Sequence, residues 1–145
     1  MNEADEIAAK VIELFSVYSE QLNDLAIGLR TQAAYLDVRT SADIRVYGSK
    51  WCLEKYVEAD IPETDGYVAA WCSELSWTDK KWLVRCSANI SHGVSFVDLG
   101  SRSASNAQEL AGALNAMLQI VIASTTPGSL FMEAINQFRN ESKAA

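Results

Sequence analysis

Histidine is almost missing from this chain, and cysteine and proline are scarce. The 145 residues include one histidine, three cysteines and two prolines. No apolar run approaches the roughly 20 residues that a membrane-spanning helix requires. The opening decapeptide, MNEADEIAAK, is acidic where a secretory signal would be basic and then apolar. A cytoplasmic protein is therefore expected, with no membrane partner. Positive charge is also in short supply. A net charge of −7 and a pI near 4.6 disfavour phosphate backbones, so no nucleic-acid partner is expected.

The scarce residues limit the chemistry further. Cys52, Cys72 and Cys86 are an odd set without a close pair, which does not describe a disulfide framework. With His92 they supply the ingredients of a Cys₃His zinc site, but no two of them form a knuckle. They are read as buried or half-buried thiols, and no metal or other cofactor is expected. His92 lies at an expected hairpin tip, where water is hard to exclude. Asp98 and several serines are near it in sequence, but there is no nucleophile elbow or Gly-rich oxyanion loop. No catalytic residue is assigned. The seven glycines form no phosphate-binding pattern. Glu58, Asp60, Glu63 and Asp65 lack the alternation and central Gly of a calcium loop, and read as a solvated acidic loop.

What is present describes one α+β domain spanning residues 1–145. Residues 2–38 read as a helix, with an apolar stripe through Ile7, Val11, Leu14, Tyr18, Leu22, Leu25, Leu29, Ala33 and Leu36. Asn2 is the expected N-cap. Unbroken, such a helix would be about 55 Å long, well beyond a domain whose radius of gyration is about 15 Å. Either it breaks near Asn23-Asp24 or Gly28, or it projects and finds a partner, which leaves it available for self-association.

From Asp43 the apolar period falls to two, and Gly48-Ser49 is a hairpin turn that would pair Val46 with Trp51 and Ile44 with Leu53. The run into Glu54–Val57 could instead be helical. Residues 58–66 read as loop. Two strands, 67–77 and 82–90, then flank a polar four-residue turn. Facing Trp77 with Trp82 aligns Leu75 with Val84, Ser73 with Cys86, Trp71 with Ala88 and Ala69 with Ile90. All but Ser73 are apolar or small and share one side. Glu74 meets Arg85 on the other side, and Cys72 and Cys86 point to opposite faces. A Ser91-His92-Gly93 turn would next pair Ala88 with Phe96 and Cys86 with Asp98. Asp98 then falls near the core side at a wet strand end.

Ser105 with Gln108 forms a capping box for a helix over 106–123, and Thr126-Pro127 opens another. The order is helix, antiparallel meander of four to five strands, then two helices on one sheet face. Trp51, Trp71, Trp77 and Trp82 belong to the covered face. The open face would carry Cys72, Glu74, Ser76, Leu83, Arg85, Ser87 and Asn89, extending to Val97 and Leu99.

No motif identifies a family. The function expected is a non-enzymatic protein-binding domain, such as an inhibitor, an immunity-like protein or an accessory subunit. It would engage a basic protein partner through Glu54, Glu58, Asp60, Glu63 and Asp65, with Glu74 and Arg85 on the open face. The alternative is a small-ligand-binding or catalytic domain with a pocket between sheet and helices, using Cys86, Asp98 and Arg85.

Overall fold

The computed structural model describes the backbone of residues 3–47, 50–62, 69–78, 81–90 and 97–144, and the side chains of 6, 9–43, 52–62, 69–77, 81–90 and 97–140. Asn2, Gly48-Ser49, Glu63, Asp65 and the Ser91-His92-Gly93 turn lie outside the described residues. The chain runs α1 (Glu3–Gln32), β1 (Asp37–Tyr47), β2 (Lys50–Asp60), β3 (Ala69–Thr78), β4 (Lys81–Ile90), β5 (Val97–Ala104), α2 (Ala107–Thr125) and α3 (Leu130–Ala144). The five strands form one antiparallel meander in chain order. The three helices pack on it, α1 against β1 and β2, and α2 against β4 and β5. This is the expected α+β architecture.

The central hairpin has the register read from its apolar alternation. Trp77 faces Trp82, Leu75 faces Val84, Ser73 faces Cys86, Trp71 faces Ala88, and Glu74 faces Arg85. The first hairpin also pairs Val46 with Trp51 and Ile44 with Leu53. Period-two alternation fixes these registers because a one-residue slip would expose every inner side chain of one strand. Inner positions Leu53, Val57, Trp71, Leu75, Val84 and Cys86 are all 2% exposed or less. Trp82 is buried and Trp77 half-buried, their rings tilted with centroids 5.9 Å apart.

Several boundaries differ from expectation. α1 runs unbroken past Asn23-Asp24 and Gly28, ends at Gln32, and hands over to β1 at Asp37. It does not project: Val11, Phe15, Tyr18, Leu22, Ala26 and Leu29 are buried in the common core. The stripe continues through Ala33 and Leu36 because those residues stay buried in the connection, so apolar spacing alone overstates the helix. β2 continues through residues 54–60, so Glu58 and Asp60 are strand residues rather than loop. Pairing with β1 along its whole length supplies the backbone partners that hold this stretch extended.

β5 is shifted by a bulge. Cys86 pairs with Gly100, the next residue Ser87 pairs with Asp98, and Ala88 pairs with Val97 instead of Phe96. Gly100 has φ +136°, a conformation that a side chain strongly disfavours. The extra residue turns Asp98 to the open face, and Val97 and Leu99 pack against the core, both contrary to expectation.

The cap of α2 is Asn106, one residue after Ser105: its side chain accepts the Glu109 N–H at 2.9 Å, and the Glu109 carboxylate accepts the Ser105 N–H. Thr126 closes α2, and Ser129 caps α3 by accepting the Met132 N–H at 3.2 Å, so Pro127 lies in the turn and not in the helix. Residues Ala107–Asn140 are long and apolar enough to cross a membrane by length and composition. Here Leu110, Leu114, Met117, Val121, Phe131 and Ile135 from this span fill the core.

Candidate functional site

Antiparallel pairing places alternate residues of all five strands on the side that none of the described helices covers. β2 contributes Cys52, Glu54, Tyr56, Glu58 and Asp60, and β3 contributes Ala70, Cys72, Glu74 and Ser76. β4 adds Leu83, Arg85, Ser87 and Asn89, and β5 adds Asp98. β1 adds Asp37, Arg39, Ser41 and Asp43. Carboxylates therefore meet across strands: Asp43, Glu54 and Glu74 form one row, which continues to Arg85 and Ser101.

The expected site residues separate into distinct environments. Glu58 and Asp60 are held by Arg39, whose guanidinium lies 3.7 Å and 2.8 Å from their carboxylates. Arg85 faces Glu74 in the register, but its guanidinium points to Asp98 at 3.5 Å, with both side chains about half exposed. Glu54 is the exception. It is only 7% exposed although it lies on the uncovered face. Its Oε1 accepts from the Cys52 thiol at 3.5 Å, and its Oε2 accepts from the Tyr56 hydroxyl.

This hydrogen bond to Glu54 raises the Tyr56 pKa well above the ordinary tyrosine range, because a phenolate would face the carboxylate, and burial adds to the effect. The Cys72 thiol, next to Tyr56, is pushed up to about 11, chiefly by burial. Cys72 is therefore a neutral thiol near pH 7 and not a poised nucleophile. Cys52, Tyr56 and Arg39 are members of this face that the sequence reading does not include, and Asp98 is one that it places on the core side. Cys52 and Tyr56 follow from the β1–β2 alternation once β2 is extended past Leu53. Asp98 does not, because the bulge reverses its side.

A second polar group lies on the covered face. The Tyr18 hydroxyl of α1 donates to Ser73 Oγ at 2.6 Å, and Cys86 Sγ lies 3.3 Å from Ser73 Oγ. Lys55, opposite Ser73 and 6% exposed, has its pKa lowered by burial, which Glu20 of α1 opposes. Cys86 is 0% exposed in the core and Asp98 lies on the other face, so they share no pocket. A shallow groove of about 530 Å³ does exist, between α1 and α2, lined by Leu25, Gly28, Leu29, Leu118 and Ile122 with Asp24 at its side. It does not lie between helices and sheet.

Comparison with known families, curated proteins and solved structures finds no match to this chain.

Proposed function

We propose that the chain is a non-enzymatic protein-binding domain whose open sheet face docks a basic protein partner. The observation that carries this reading is the charge of that face. Among the described side chains, the register sets Asp37, Asp43, Glu54, Glu58, Asp60, Glu74 and Asp98 against Arg39 and Arg85 on one side of a five-stranded sheet. Such a surface steers an oppositely charged partner and sets its orientation. The filled covered face supports the same reading, since Leu75, Val84, Cys86, Leu110 and Ile135 are all 0% exposed. A small-ligand enzyme would need a concave site with convergent polar groups. The groove between α1 and α2 is mostly apolar and lies away from the acidic rows.

Co-purification from the native source tests the proposal. Glu74→Lys with Asp98→Lys reverses two carboxylates of the sheet face, and Glu13→Lys with Glu133→Lys reverses two exposed acids on the helices α1 and α3. The expected result is a salt-sensitive partner retained by wild type and by the second variant, and lost by the first. Equal recovery by all three proteins with unchanged unfolding curves would remove the sheet face as the docking surface.

A further inference from the structure

We propose that Cys52, Glu54 and Glu74 form a binding site for a borderline divalent cation of the zinc type, with one coordination position left to water. This inference is independent of the partner reading. The three side chains come from two adjacent strands, and one ligand atom from each lies within 4.8 Å of the others. They unite a soft sulfur with two hard oxygens, a donor set suited to zinc.

The geometry is close to what the metal requires. With Zn–S about 2.3 Å and Zn–O about 2.0 Å, a tetrahedral ion separates the two donors by about 3.5 Å. Cys52 Sγ and Glu54 Oε1 are 3.5 Å apart. Their shared proton thus occupies the line that a bridging cation would replace. On binding, the Cys52 thiol releases that proton to solvent, and the sulfur and Oε1 both coordinate the ion. Glu74, directly opposite Glu54, supplies the third ligand from a carboxylate oxygen within 4.8 Å of the other two.

Two further features favour a cation here. Glu54 is 7% exposed and directly faces a second carboxylate. Tyr56 holds Oε2, which leaves Oε1 directed at Cys52. That is the orienting contact that metal-binding carboxylates receive from outside the ligand set. Cys72, which pairs with Tyr56, falls outside the group whose ligand atoms lie within 4.8 Å of one another.

Zinc binding to the full chain, measured by equilibrium dialysis and repeated with cobalt, tests the site. Wild type should bind one ion per chain, with affinity rising with pH as the thiol is deprotonated. Cobalt should produce a thiolate charge-transfer absorption. Cys52→Ser should abolish that absorption and weaken binding at least tenfold, and Glu74→Gln should also weaken binding at least tenfold. Tyr56→Phe should weaken it about 10- to 100-fold, and Cys72→Ser should leave it unchanged. Wild type alone provides a check that needs no variant: zinc should slow alkylation of Cys52 and raise the unfolding temperature. Absence of stoichiometric binding, unchanged binding in Cys52→Ser, or an absorption that follows Cys72 would each overturn the assignment.

Discussion

Tyr18 in α1 donates its hydroxyl hydrogen to Ser73 in β3 at 2.6 Å, across the interface between helix and sheet. Both residues are at most 2% exposed. Ser73 is the only polar residue in the inner row of β3, which otherwise runs Ala69, Trp71, Leu75 and Trp77. A buried hydroxyl without a partner is costly, so α1 is favoured in the one position that brings Tyr18 over this site.

Tyr18→Phe should destabilise the fold by about 0.5–1.5 kcal/mol, because Ser73 loses the Tyr18 hydrogen bond and keeps only the Cys86 thiol as a partner. Adding Ser73→Ala should cost clearly less than the two single effects combined. Urea unfolding of the four proteins measures the coupling, and strict additivity would refute a shared interaction.

Leu75 is 0% exposed at the centre of the inner face. Leu75→Ala should lower stability by about 2–5 kcal/mol through lost transfer energy and the cavity left behind. Leu83→Ala, on the open face at 40% exposure, should change it far less. Comparable denaturation midpoints for the two variants would contradict the assignment of faces.

The Arg85–Asp98 pair at 3.5 Å should add little, since both side chains are about half exposed. Asp98→Asn is expected to cost less than about 1 kcal/mol. A loss of several kcal/mol would mean that Asp98 faces the core after all.

Burial holds the Cys72 thiol at about 11 against an ordinary value of 9.0. A thiol whose pKa is raised on folding favours the folded state while protonated. That contribution is intact below about pH 9 and is lost as pH rises through about 11. Alkaline unfolding should therefore be shallower over this window in Cys72→Ser than in wild type. Alkylation of Cys72 at pH 8 should also be slower than that of a free thiol. Rapid labelling at that pH would show that the thiol is not shielded.

The central hairpin was legible because two strands carried independent period-two patterns that agree with a single turn length. The polar exception, Ser73, was visible as an exception. Its partner was not, since Tyr18 is 55 residues away and only the docked helix brings it there. Local composition suggests a loop at Glu58 and Asp60, whereas their strand character comes from pairing with β1, which composition does not record. Glu54, Cys52 and Glu74 could not be grouped for the same reason: residues 54 and 74 become neighbours only through the β2–β3 register.

Sequence alone determined the class of fold, the inner and outer sets of the central strands, and the excess of negative charge. These follow from local periodicity and composition, which each segment carries by itself. Only the tertiary structure decided where α1 stops, which side Asp98 takes, and which carboxylates face one another. Those outcomes depend on a bulge at Gly100 and on pairings between distant strands. Their free energy resides in contacts that no single segment contains.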